Sequence, residues 1–89
     1  MAKDKVEEQK EVAFQRRLKA KMRMYREMHG FNQQQMADKL VISKENYQKY
    51  EHDQRTGPFR KVPIVVALEF CELAGLDLHE LLKGLRKRA

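Results

Sequence analysis

The sequence predicts an all-α fold of five helices joined by short connections. Three observations predict it. Apolar residues recur at steps of three and four along most of the chain. Capping residues stand at the ends of the periodic segments. No stretch alternates apolar and polar residues as a strand would. The 89 residues suit one domain, and a hydrophobic content of 42% suits one compact core but not two.

The first helix carries Phe14, Leu18, Met22, Tyr25 and His29 on one face, and Gly30 ends it as a left-handed cap would. Upstream, KDKVEEQKEV has good helix formers and few apolar anchors, so it should be frayed or independently helical. Residues 1–13 therefore read as a polar N-terminal extension, 14–84 as the domain and 85–89 as a basic tail. Asn32 opens the second helix as N-cap, with Gln35 in the capping-box position and Met36, Ala37 and Leu40 facing inward. Ser43 caps a third helix, whose apolar steps are Tyr47 and Tyr50. DQRTGPFRKVP is a loop, and Pro63 suits the first turn of a fourth helix. There Ile64, Ala67, Leu68, Cys71 and Leu73 or Ala74 should pack inward, with Gly75 as the stop. Asp77 can cap a short fifth helix carrying Leu78, Leu81, Leu82 and Leu85 on one stripe.

Charge is uneven. The net charge is +6, which favours a polyanionic partner, nucleic acid ahead of an anionic membrane. Residues 64–82 hold four Asp/Glu and no Lys/Arg, between the basic segments RTGPFRK and KGLRKR. One cysteine, Cys71, excludes an intrachain disulfide and fits a reducing cytoplasm. The opening MAKDKVEEQKE lacks the apolar segment of a signal peptide, and VPIVVAL is too short to span a bilayer. The expected protein is cytoplasmic, nucleoid-associated when bound to DNA. His29, His52 and His79 have no ligand-like spacing, and no nucleophile stands with a supporting base. No metal, cofactor or catalysis is expected.

Two short helices joined by a tight turn form the helix-turn-helix pattern. RxxxGFNQxxxAxxL (Arg26 to Leu40), ISKxNYxKYE (Ile42 to Glu51) and LAGLDLHELLKG (Leu73 to Gly84) together resemble the lambda-repressor/Cro, or XRE-type, family. The resemblance covers roughly residues 16–84, with a longer loop from Asp53 to Pro63 than is usual in the family. It implies a lambda-repressor-like domain whose helix at about 43–51 reads the DNA major groove.

By that resemblance Gln33 contacts phosphate, which suits the positive end of a helix. Lys44, Glu45 and Lys49 hold the base-reading positions, with Ser43 and Asn46 as phosphate neighbours and Gln48 directed away from the groove. Lys donates to guanine and Glu accepts from cytosine, so a G·C-containing half-site is expected. Arg26 and Glu51 match a partly buried ion pair between the first and third helices. Arg55, Arg60 and Lys61 are collective phosphate contacts in the loop, and Arg86, Lys87 and Arg88 another anion contact or a solubilising end. Leu78, Leu82 and Leu85 are candidates for a dimer stripe. Val41 stands where relatives usually have Gly, and it is expected to keep a negative φ by a shift of the inter-helix angle.

The leading expectation is a bacterial or phage regulator, most simply a repressor, binding double-stranded DNA as a homodimer on two half-sites. The alternative is an antitoxin or adaptor whose main partner is a protein such as a toxin, held by the N-terminal segment. Charge-driven, sequence-independent nucleic-acid binding is the third.

Overall fold

The computed structural model describes the backbone of residues 2–52 and 60–83, with side chains over 9–52 and 60–81. Five α-helices lie within these residues: α1 (Ala2–Met28), α2 (Gln33–Leu40), α3 (Lys44–Glu51), α4 (Ile64–Ala74) and α5 (Leu78–Lys83). The all-helical, five-element architecture is compatible with a lambda-repressor-like domain. α1 is continuous through residues 13 and 14, with no break where the polar extension meets the apolar stripe. Its 27 residues span about 40 Å.

The core draws on every helix. Leu18 and Met22 of α1 meet Met36, Ala37 and Leu40 of α2, Tyr47 of α3, Val66, Ala67, Phe70 and Cys71 of α4, and Leu81 of α5. Tyr25 packs edge-on against Phe70 with ring centroids 5.9 Å apart and also meets His29 and Phe31, which stack on each other. The inward face of α4 differs from the expected one. Ile64 and Leu68 are exposed, while Val66 and Phe70 are buried. The run IVVAL is apolar on all sides, so its periodicity could not select a face.

The caps explain where the helices begin. Asn32 and Gln35 form a reciprocal capping box, 2.7 Å from the Gln35 N–H to the Asn32 side chain and 2.9 Å from the Asn32 N–H to the Gln35 side chain. Ser43 Oγ accepts from the Asn46 N–H at 3.1 Å, and Asp77 from the His79 N–H at 2.9 Å. Pro63 precedes α4 without a side-chain cap bond.

Three helices end in one and the same motif. After α1, the Phe31 N–H bonds to the Arg26 carbonyl and the Gly30 N–H to that of Glu27. After α2, Ile42 bonds to Ala37 and Val41 to Asp38; after α4, Leu76 bonds to Cys71 and Gly75 to Glu72. This paired pattern requires a left-handed residue just past the helix. Gly30 and Gly75 supply it at φ 69° and 70°. Val41 supplies it at φ 58°, ψ 47°, which corrects the expected negative φ. The pair of carbonyl bonds and the seating of Ile42 against the core impose the conformation.

A left-handed L-residue costs roughly 1–2 kcal/mol, more when β-branched. Val41 is 85% exposed, so burial offsets almost none of this. Val41→Gly should therefore raise Tm by several degrees, at about 4–8 °C per kcal/mol for a domain of this size. A thermal melt showing a lower Tm would mean that the turn is unstrained.

Candidate nucleic-acid interface

α2 and α3 meet α1 at one buried carboxylate. Arg26 reaches Glu51 with two parallel hydrogen bonds, Nε to Oε2 at 2.7 Å and Nη2 to Oε1 at 3.1 Å. Its Nη1 donates to the Phe31 carbonyl at 3.1 Å. Tyr47 Oη donates to Glu51 Oε2 at 2.5 Å, and Gln33 Nε2 to Oε1 at 3.2 Å. Glu51 is buried, and a buried charge is tolerated only when it is paired and hydrogen-bonded. Burial pushes its pKa up, but the bonds from Arg26, Tyr47 and Gln33 outweigh it and hold the carboxyl below its ordinary range. The Glu51 bond raises the Arg26 guanidinium in turn. Burial and the same carboxylate raise the Tyr47 phenol, which stays a donor.

The network continues outward. Gln48 Nε2 donates to Gln33 Oε1 at 3.1 Å. The amide of Gln33 thus spends its acceptor on Gln48 and one donor on Glu51, and keeps one side-chain N–H. The three glutamines divide their work. Gln33 joins this network, Gln34 bonds to Asp38 at 2.8 Å, and Gln35 closes the capping box.

The outer face of α3 carries Lys44, Glu45, Gln48 and Lys49, all exposed, with Asn46 at its edge. Tyr47 and Glu51 point inward. Gln48 bonds to Gln33 and so lies on the side of α3 nearest the start of α2, among the exposed lysines. Ser43 has its oxygen engaged as the α3 cap but keeps its hydroxyl proton.

Two contacts that the residue types alone did not suggest fix the rest of α3 and the chain after it. Lys19 is 1% exposed, and its ammonium donates to the Tyr50 carbonyl at 2.6 Å and that of Lys49 at 3.5 Å. These are C-terminal carbonyls of α3, the negative end of its dipole, where a cation is favourable. Gln15, also buried, brackets the backbone of Val62: Nε2 donates to its carbonyl at 3.2 Å and Oε1 accepts from its N–H at 2.6 Å. Beside it Lys61 pairs with Glu11 at 2.9 Å. Gln15, Lys19, Met22 and Arg26 lie at steps of four, three and four, a line parallel to the apolar stripe. That spacing is the signal that would have found them.

Arg60 is exposed, just before Lys61. Leu78 is half-buried against the core. Arg55, Leu85, Arg86, Lys87, Arg88 and the side chain of Leu82 lie outside the described residues. Among the described residues, no three His, Cys, Asp or Glu are grouped as a metal site would need, and no helix is long and apolar enough to cross a membrane.

A family model described as a helix-turn-helix domain matches residues 20–85. Comparison with curated proteins and with solved structures returns no match.

The geometry sets three expected outcomes. Glu51→Ala leaves Arg26 and Tyr47 facing an empty site and should cost about 3–5 kcal/mol. A depressed folded pKa contributes stability above the unfolded value near 4.5, lost as pH falls through the lower folded value. Acid titration of stability should therefore be steeper below about pH 4.5 for the wild type than for Glu51→Gln; equal slopes would remove Glu51 from the acid response. Lys19→Met should cost about 1–3 kcal/mol, because the α3 carbonyls lose their donor. Hydrogen exchange should quicken first over residues 47–52, and a uniform change would argue against local capping.

Proposed function

Because the chain belongs to the helix-turn-helix domain family, we propose that it is a sequence-specific DNA-binding regulator, acting as a repressor by occupying its operator. The observation that carries this reading is the exposed row Lys44, Glu45, Gln48 and Lys49, backed by a buried network that leaves α3 one orientation. The role is binding without catalysis.

In this reading α3 enters the major groove. Lys44 and Lys49 donate to guanine O6 and N7, and Glu45 accepts from cytosine N4. Gln48 suits adenine, which offers an acceptor at N7 and a donor at N6. Gln33 already holds the Gln48 amide, so less side-chain freedom is lost on contact. At the start of α2, the Gln33 and Gln34 backbone N–H groups have no partner among the described residues, and they face phosphate with the helix dipole behind them. Gln33 then has two roles, holding Gln48 and Glu51 with its side chain while its backbone meets the phosphate. Ser43 and Asn46 lie beside the same strand of phosphates. Glu45 works partly by exclusion, since a carboxylate beside phosphate is repelled unless a donor meets it.

A second reading, a protein-binding adaptor or antitoxin, draws on the helical course of residues 2–13, which continue α1 beyond its first apolar anchor at Phe14.

Fluorescence anisotropy with DNA from upstream of the coding sequence and a scrambled control, across a salt series, tests the first reading. Gln48→Ala should lose about 1–3 kcal/mol on the native sequence and little on the scrambled one. Glu45→Gln should narrow the gap between the two by tightening scrambled binding. Lys44→Ala should lower the salt slope by about one. Equal wild-type affinity for both sequences overturns the operator reading.

A further inference from the structure

α4 turns Val66, Ala67, Phe70 and Cys71 into the core. At about 100° per residue, the opposite arc holds Ile64, Leu68, Glu72, Val65 and Glu69, in that order round the axis. All five are exposed, Ile64, Val65 and Leu68 at 59%, 66% and 50%. No other part of the described surface sets three large aliphatic side chains so close in sequence. The arc is divided along its length. Its first half is aliphatic and its second half acidic, with about 12 Å of helix between Ile64 and Glu72.

Neither half serves the helix itself. The aliphatic groups point away from the core that the rest of α4 builds. A helix C-terminus carries partial negative charge and disfavours carboxylates, yet Glu72 stands in the last turn and no basic residue stands there with it. Glu69 and Glu72 have no hydrogen bond or ion pair among the described residues. Residues 64–82 hold no Lys or Arg that could answer them locally.

We propose that this arc is the docking face for a basic amphipathic helix of another protein. The partner presents apolar side chains at steps of three and four, which cover Ile64, Val65 and Leu68. One or two turns further on it presents Lys or Arg, which meet Glu69 and Glu72. Charge selects this class of partner. The acidic half repels nucleic acid and an anionic lipid surface alike. The arc has no cation of its own, so the same arc of a second copy leaves the carboxylates unanswered. A basic helix satisfies both halves at once, and its cations also answer the negative end of the α4 dipole. Three aliphatic residues and two carboxylates make a small contact, of the transient class below about 1,200 Å² in total. In such a contact the charge pairs set specificity and encounter rate more than strength. The arc lies on a different helix from Lys44, Glu45, Gln48 and Lys49, so this partner and DNA do not compete for the same side chains.

Calorimetric titration of the full chain without DNA tests this separately from DNA reading. The titrant is a synthetic helical peptide of leucine and lysine, with its leucines at steps of three and four. The control peptide has glutamate in place of every lysine. The lysine peptide should bind one per chain, less tightly as salt rises, and should shift the methyl resonances of Ile64, Val65 and Leu68. The glutamate peptide should not bind. Leu68→Gln should weaken binding at least about tenfold, equivalent to 1.4 kcal/mol, with an unchanged far-UV spectrum. Glu69→Lys together with Glu72→Lys should reverse the preference, so that the glutamate peptide binds in place of the lysine one. A lysine peptide that fails to bind at millimolar concentration overturns the proposal. Equal binding of the two peptides does so too, as does binding that leaves those methyl resonances in place or is indifferent to the substitutions, since the site then lies elsewhere. Resonances of Ile64, Val65 and Leu68 that shift with the protein's own concentration, no peptide being present, also overturn it, in favour of self-association.

Discussion

One buried carboxylate sets the arrangement of the first three helices. Glu51 must be satisfied or the domain carries an unpaired charge in its interior, and its four donors come from α1, α2 and α3 itself. Because the guanidinium of Arg26 is planar and binds with two parallel bonds, it fixes angle as well as distance. Tyr47 fills the core beneath and adds a third constraint, and Gln33 a fourth. The Gln33 amide then passes the constraint to Gln48 on the exposed face. The aim of α3 is thus a consequence of charge satisfaction, not of apolar contact alone, since α3 has one fully buried apolar residue, Tyr47.

Much of this was legible in the sequence, and the reason differs from part to part. The caps were, because Asn32, Ser43 and Asp77 act locally and their chemistry depends on neighbours two or three residues away. The first three core stripes were, because polar residues flank them and expose the period. α4 was so only in part: Ala67 and Cys71 are buried as expected, but an apolar run without polar neighbours has no phase to exclude Ile64 and Leu68. Gln15 and Lys19 were missed because a buried lysine resembles a surface lysine in composition, and what buries it is a set of carbonyls distant in sequence. The bond between Gln33 and Gln48 was not legible, because the two lie 15 residues apart on different helices.

Val41 shows a different limit. The hydrogen bonds after α2 match those after α1 and α4, so the turn keeps its shape with a residue poorly suited to it. Glycine is the easy way to make that turn, but geometry is enforced by the carbonyl pair and by Ile42. The bonds of the Glu51 network join Arg26 and Gln33 before the turn to Tyr47, Gln48 and Glu51 after it, and so hold α3 across it.

α1 has a part that its own contacts make plain. On one line of that helix Gln15 grips the backbone at Val62, Lys19 the end of α3, and Arg26 the carboxylate of Glu51. Each successive residue of a helix turns by about 100°. Adding or deleting one residue between Gln15 and Arg26 would swing part of that line away from its partners at a stroke. Loops elsewhere in the domain can vary in length at modest entropic cost, but α1 cannot. Substitution can explore its exposed positions freely, whereas its spacing behaves as a fixed gauge against which the rest of the domain is measured.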